Sequence, residues 1–448
     1  MRQTIAKVHT GAVTLLRFAA QNHRSIRDRA ELTLVSTALR TQRPADGDWT
    51  RVTHPVAGIF GANASGKSAL LDALDYACAA VELSSSEWLK LTRVPRSPFR
   101  LDVDHPTAPS TYEFDLVIGG VRHEYGFSVA PSGIEAEWLI DYPNGRRRSL
   151  FERSGDTYTF GRGLTRPAKI SGATTPRELF LSRAANMGHD GLVPVHGAIT
   201  SSIDVVRFGD HYQSHRLSAI IDAIIDGSVT PAAISVLLQV ADIGIDAVKI
   251  REDQMPEQVR HAISRLTAVA EEEAGTGLHL LTEPEVRRSL EFYHHGQESQ
   301  DRGLRINDES DGTIAWLSLA VPAVEALRHG SLLAVDELDA SLHPQLSAAL
   351  IGMFVDQQIN TRGAQLVFTS HDVQLLSPQS PVTMAAETVW FTEKNLDGAT
   401  SLFCLADFPH READNIARRY IAGRYGAMPS VAPSLVRSLL SDTNEHGR

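Results

Sequence analysis

The stretch GIFGANASGKSALLDAL, beginning at Gly58, narrows the possible folds more than any other part of the sequence. It fits G-x-x-x-x-G-K-[ST] at Gly61, Gly66, Lys67 and Ser68, with Asn63, Ala64 and Ser65 between the fixed positions. Apolar VAGIF precedes it and amphipathic SALLDALDYACAAV follows, so the sequence predicts strand, loop, helix. Glycines let successive backbone N–H groups converge on a phosphate chain, and a helix N-terminus adds free donors and a positive dipole end. Lys67 is placed to reach the β- and γ-phosphates and the Ser68 hydroxyl to enter a Mg²⁺ shell. The competing reading is a Gly-rich turn before an ordinary helix.

A phosphate loop requires an acidic partner, and SLLAVDELDASLHP supplies one. Its apolar run ends in Asp336 and Glu337, which puts two carboxylates at the end of a buried strand. Asp336 suits a metal-holding role, and Glu337 suits the base that orients and deprotonates an attacking water. The next strand, AQLVFTSHD, ends in His371, expected to face the γ-phosphate. In an open α/β sheet the carboxyl ends of the strands share one crevice, so Gly61, Asp336 and His371 can meet there. Upstream, NDESDGTIAWL opens a helix with Ser310, Gly312 and Thr313, a second candidate anion site by the same physics. One nucleotide does not use two such sites, whereas two subunits meeting head to tail would.

Together these motifs resemble the ABC-type ATPase head, in the branch holding RecF, the SMC-like proteins and the OLD-type ATPases. ESDGT departs from the transporter form LSGGQ and resembles the S-x-G-T form of that soluble branch. NHRSIRD near the start and YIAGRYGAMPSV near the end resemble segments of the small prokaryotic AAA-annotated ATPases. The resemblance implies that Lys67 and Ser68 bind ATP and Mg²⁺, that Asp336 holds the metal and that Glu337 is the catalytic base. It implies further that Ser310, Gly312 and Thr313 act on the partner's ATP, Asp339 couples the two sites as the D-loop residue, and His371 is the switch. No glutamine lies between Ser68 and Gln213, so the Q-loop residue is not placed, nor is the adenine contact.

The fold expected is α/β: an ABC-type P-loop head, a mixed sheet with an antiparallel β lobe, plus an inserted helical subdomain. Residues 1–174 are read as the first half of the head, 175–280 as the helical insert and 281–448 as the second half. FRLDVD, STYEFDLVIGG, VRHEYGFSVA and GIEAEWLI are read as antiparallel hairpins, and PRELFLSRAAN, SHRLSAIIDAIIDG, TPAAISVLLQVADIG and MPEQVRHAISRLTAVAEEEAG as helical.

A hydrophobic share of 42% with 22% charged residues is that of a globular protein, and no apolar run is long enough to cross a bilayer. With no signal-like apolar core at the start, a cytoplasmic location is expected. Cys78 and Cys404 are too few for a disulfide framework and are read as core residues. A net charge of −11 argues against a uniformly basic nucleic-acid coat but leaves room for local patches at Arg93–Arg100 and Asn144–Gly155. Between His371 and Arg448 no D-x-D spacing occurs, and Asp102 and Asp104 sit in the wrong part of the chain for a Toprim-type centre, so no nuclease site is expected.

The family resemblance therefore implies an ATP-gated homodimer or higher oligomer that serves as sensor or scaffold for a separate effector, in anti-phage defence, with an RloB-like or other Toprim-type nuclease as the partner type. Two alternatives stand beside it. One is a RecF-like repair ATPase clamping duplex DNA, and the other a non-hydrolysing nucleotide-dependent scaffold.

Overall fold

The computed structural model describes residues 12–36, 44, 47–208, 217, 220–224, 227–241, 244–254, 286–294, 303–340, 342–409 and 415–426. Two sheets dominate. The first, antiparallel throughout, is built from β1 (Val13–Gln21), β2 (Ala30–Thr33), β4 (Ser110–Ile118), β5 (Val121–Ala130), β6 (Gly133–Asp141), β7 (Arg148–Ser154) and β8 (Thr157–Phe160), in the order β2-β1-β4-β5-β6-β7-β8. The second holds β3 (Val56–Gly61), β9 (Ile203–Arg207), β13 (Leu332–Asp336), β14 (Gln365–Ser370), β15 (Val389–Lys394) and β16 (Thr400–Cys404), in the order β16-β15-β3-β14-β13-β9. It is parallel except for the β15–β16 hairpin.

Each inner strand of the parallel sheet is buried on both faces, as apolar runs such as VAGIF require. On β3, Ala57 and Ile59 join one core while Val56 and Phe60 join the other. The first core lies between the antiparallel sheet and helix α1 (Lys67–Leu83), whose Leu70, Leu71, Leu74, Ala77, Cys78 and Val81 are buried there. Helices α2 (Pro167–Ser171), α3 (Phe180–Asn186) and α4 (Val193–Ser201) close over α1 on that side. The second core contains α5 (Pro231–Val240), α6 (Asp311–His329) and α7 (Pro344–Val355), with the C-terminal α8 (Ile416–Ile421) beside it. A small antiparallel sheet, β10 (Ile245–Gln254), β11 (Val286–His294) and β12 (Leu304–Arg305), leads into the start of α6.

Two expectations differ from this arrangement. The sequence predicts a helical span over 175–280, yet Ile203–Arg207 is a strand of the parallel sheet beside β13, and Ile245–Gln254 pairs antiparallel with β11. Five residues of IDVVR are too short a run for periodicity to separate strand from helix. FRLDVD is no strand either. Asn22 takes the Phe99 N–H at 2.9 Å and donates to the carbonyls of His105 and Ala108, while Asp102 Oδ1 accepts from the N–H groups of Asp104 and His105. Those bonds satisfy the segment as a loop, the usual effect of Asn and Asp on nearby backbone. The predicted helix MPEQVRHAISRLTAVAEEEAG lies outside the described residues, as do Gln213 and the final AMPSV of YIAGRYGAMPSV, beyond Gly426. Both cysteines are buried and neither is in a disulfide, and burial pushes the Cys404 thiol up to about 11.

Candidate nucleotide-binding and catalytic site

All five parallel strands end at one edge, and the edge is a crevice of about 670 Å³. β3 delivers the phosphate loop. Gly66 has φ +104°, and a Cβ there would lie 2.0 Å from Thr400 Oγ1, so the position admits glycine on both counts. Ser65 is buried, its hydroxyl 2.6 Å from Thr392 Oγ1 and its carbonyl 2.9 Å from Thr400 Oγ1, which pins the loop to the β15–β16 hairpin. No side chain caps α1, whose first residues Lys67, Ser68 and Ala69 line the crevice, with the Ala69 N–H bonded to the Gly66 carbonyl at 3.0 Å. Lys67 Nζ donates to the carbonyls of Gly61 (2.7 Å) and Ala62 (3.0 Å) and lies 3.2 Å from His371 Nδ1. Burial lowers the Lys67 ammonium to about 8, against the pull of Asp339, Glu337 and Asp336.

β13 and β14 deliver the acids. Thr369 bridges them: its hydroxyl donates to Asp336 Oδ1 at 2.7 Å and accepts the Glu337 N–H at 2.7 Å. Glu337 has φ +59°, a left-handed conformation that a non-glycine residue adopts only when its surroundings impose it, and such strain concentrates at functional sites. The Leu338 N–H bonded to the Thr369 carbonyl at 2.9 Å completes that constraint and leaves the Glu337 side chain exposed in the crevice. Asp339 Oδ1 and Oδ2 accept the His371 backbone N–H at 3.3 and 3.2 Å, tying the loop after β13 to the end of β14.

Of the predicted residues, Asn63, Ala64, Gly66, Lys67, Ser68, Glu337, Asp339 and His371 line this one crevice. Gly61 and Ser65 are buried and Asp336 is half-buried at the end of β13, and none of the three is among the crevice's lining residues. Ser310, Gly312 and Thr313 do not line it. They begin α6, where Ser310 Oγ accepts the Thr313 N–H at 3.1 Å. For Mg²⁺ the donor set is suitable: an exposed Ser68 hydroxyl and the Asp336 and Glu337 carboxylates are hard oxygen ligands. Among the described residues no cluster of three metal-ligating side chains occurs, so a cation here would complete its shell from phosphate and water.

Sequence reasoning missed Arg24, Ser25 and Lys394, which also line the crevice, and the three threonines that brace it. Arg24 and Ser25 belong to NHRSIRD, a stretch singled out by resemblance but given no role. Thr400 N–H donates to the Ser25 carbonyl at 2.7 Å, which brings that turn over the loop. Thr369 stood inside TSHD unnoticed, and nothing in the sequence marks Lys394.

An uncapped helix N-terminus beneath a glycine loop, with strand-end carboxylates opposite, is the arrangement of a P-loop nucleotide-binding site. The chain matches the family described as "AAA domain, putative AbiEii toxin, Type IV TA system" over residues 56–179 and 215–377, and it belongs to that family. No curated protein matches the chain. Among solved structures it is similar to an SMC head bound to the C-terminal winged-helix domain of ScpA, at 14% identity, covering 87% of this chain and 97% of that one, with a TM-score of 0.46. A head domain with an extended coiled coil from Pyrococcus furiosus, bound to the C-terminal domain of ScpA, is 12% identical (88% and 96% covered, TM-score 0.41). The recombination mediator RecF with ATPrS is 13% identical (88% and 99% covered, TM-score 0.35). No helix among the described residues is long and apolar enough to cross a membrane.

Proposed function

We propose that the chain binds and hydrolyses ATP with Mg²⁺, dimerises head to tail on ATP, and acts as sensor or scaffold for a separate effector protein in anti-phage defence. The observation that supports hydrolysis is the Glu337 carboxylate, held by a left-handed backbone in the same crevice as Lys67 and Ser68. In this reading the phosphate loop and the α1 N-terminus hold the phosphates, Lys67 shifts from its loop carbonyls to the β- and γ-phosphates, and Ser68 and Asp336 hold Mg²⁺. Bound Mg²⁺ neutralises charge that develops on the phosphates. Glu337 removes the proton from the attacking water, His371 donates to the γ-phosphate, and Asp339 links His371 to the dimer face. Ser310, Gly312 and Thr313 meet the ATP of the second subunit. The division at 174/175 and 280/281 stands as the proposed partition into head halves and insert, although β9, inside the 175–280 span, pairs with β13 of the parallel sheet.

Mass photometry of Glu337→Gln with and without ATP-Mg²⁺ tests this, repeated with the product of the adjacent gene. An ATP-dependent dimer or larger assembly that recruits the neighbour is the expected result. A monomer at saturating ATP would exclude the head-to-tail reading.

A second reading, a clamp on duplex DNA, draws on exposed cations. Arg146 before β7, Arg162 after β8, and Arg166 and Lys169 at α2 are exposed, with no carboxylate partner among the described residues. Arg96 and Arg153, by contrast, are spent on the protein's own carbonyls. If these residues bind DNA, affinity falls steeply with salt and each charge removed lowers the slope of log K against log[salt] by about 1. Binding that ignores salt would remove this reading.

A further inference from the structure

Four residues beyond Ser68 on α1, a buried carboxylate gathers a histidine and two arginines from two distant parts of the chain. Asp72 Oδ2 accepts from His23 Nε2 at 2.8 Å and from Arg24 Nε, and Oδ1 accepts from Arg207 at 2.5 Å. His23 is itself fixed, its Nδ1 lying 2.8 Å from the Tyr112 hydroxyl, and Arg207 also reaches Asp75 at 3.1 Å. Burial would raise the Asp72 carboxyl, but the His23 hydrogen bond and the charges of Arg207 and Arg24 bring it down to about 2, so it stays ionised.

Two of its partners face elsewhere. The Arg24 side chain is 55% exposed and lines the nucleotide crevice; only its Nε is held, and its two terminal nitrogens have no partner among the described residues. Arg207 is the last residue of β9, in register with Asp336 on β13, and the chain leaves the sheet immediately after it. One carboxylate thus joins a crevice wall to the strand end through which the 208–254 segment departs. A purely structural ion pair would not need an arginine with its donors left toward a cavity.

We propose that Asp72 is a positioning residue that holds Arg24 by Nε with its terminal nitrogens available to a nucleotide, and that through Arg207 it couples nucleotide occupancy to the end of β9. The inference rests on the crevice being an ATP site. When phosphate oxygens draw on Arg24, the share of the Asp72 charge left to Arg207 rises, and that charge-assisted pair tightens. Nucleotide binding therefore firms the strand end at residues 203–208, an element that both ends of the cluster bias.

Hydrogen exchange on the full chain carrying Glu337→Gln, with and without ATP-Mg²⁺, tests it. ATP is expected to slow exchange at the loop amides 61–68 and also at 203–208. Adding Arg207→Gln is expected to keep the loop protection and an ATP affinity within about twofold while abolishing the protection at 203–208. Asp72→Asn is expected to weaken ATP affinity by about tenfold, the scale seen when a residue that orients a ligand-contacting group is lost. Protection at 203–208 that survives Arg207→Gln, or that never appears although the loop is protected, overturns the coupling while leaving the ATP site intact. Unchanged affinity in Asp72→Asn overturns the positioning of Arg24. Absent loop protection in the parent protein refutes the ATP site, and the inference with it.

Discussion

Helices α1 and α6 both begin with small residues that the sequence marks as anion sites, yet their first turns are wired differently. At α1 no side chain caps the helix, Gly66 stands in a left-handed conformation at the N-cap, and the ammonium of Lys67 waits on the loop carbonyls. At α6 the Ser310 hydroxyl already takes the Thr313 N–H, and Asp311 occupies the first turn, where a carboxylate complements the dipole. An anion entering α1 finds a helix start with no side-chain cap and a cation. One approaching α6 meets a self-satisfied turn and a negative charge. The difference teaches that small residues before a helix state only that an anion could fit; the cap decides whether the donors are free.

The largest expected effect falls on the open end. Lys67→Ala should abolish measurable ATP binding, because the ammonium that rests on the loop carbonyls is lost while the helix itself keeps its core contacts. Retained binding in a fluorescent-nucleotide titration would mean that the uncapped N–H groups suffice alone. Next comes Glu337→Gln, which should leave ATP bound and lower turnover by about 10²–10⁴-fold, the range for a general base. Wild-type hydrolysis in that variant would show that the strained backbone at Glu337 positions something other than the base.

Thr369→Val should have a smaller effect, a fall in turnover of about 10- to 100-fold with ATP affinity nearly kept, since the hydroxyl orients Asp336 and Glu337 without touching ATP. A change confined to affinity would contradict that role. Thr369 also shows what the sequence made legible. Spacing located Gly61, Lys67, Asp336, Glu337 and His371 because a strand end must present them at one edge. Apolar runs foretold most of the strands for the same reason. The bracing bonds were hidden because their partners are remote in the chain: Thr369 lies 32 residues from Glu337 and Thr392 lies 327 from Ser65. Periodicity carries no information about such pairs. The family resemblance reached NHRSIRD without saying why, and the reason is spatial: Arg24 and Ser25 form the opposite wall of the loop.

A pH dependence separates the two helix ends, because only α1 depends on a titrating cation. Lys67 is lowered to about 8 from an ordinary 10.5, so between those values the unfolded chain holds a proton that the fold has released. For this group, stability of the nucleotide-free protein is unaffected below pH 8 and rises with pH from about 8 to 10.5. Nucleotide binding runs the other way, since phosphate requires the charged ammonium: affinity should be flat up to pH 8 and about tenfold weaker near pH 9 than at pH 7. A titration that stays flat to pH 9.5 would show that Lys67 remains charged in the empty crevice.

The smallest effect is at the capped end. Ser310→Ala removes the acceptor of the Thr313 N–H and should lower stability by about 1 kcal/mol, as loss of a serine N-cap does. Because α6 is buried along most of its length, the helix survives this loss and the variant remains folded. ATP binding to the monomer should be unchanged, since Ser310 lies outside the crevice lining. Dimerisation on ATP is the discriminating readout when Ser310→Ala is set beside Ser310→Arg, which places bulk and charge at the same exposed position. If the hydroxyl serves the partner's phosphate, both variants lose the ATP-dependent dimer. If it serves only as a cap, Ser310→Ala dimerises like the parent at reduced stability and Ser310→Arg alone is impaired. Should both variants dimerise normally, α6 does not lie at the subunit contact, and its self-satisfied first turn is an ordinary helix start.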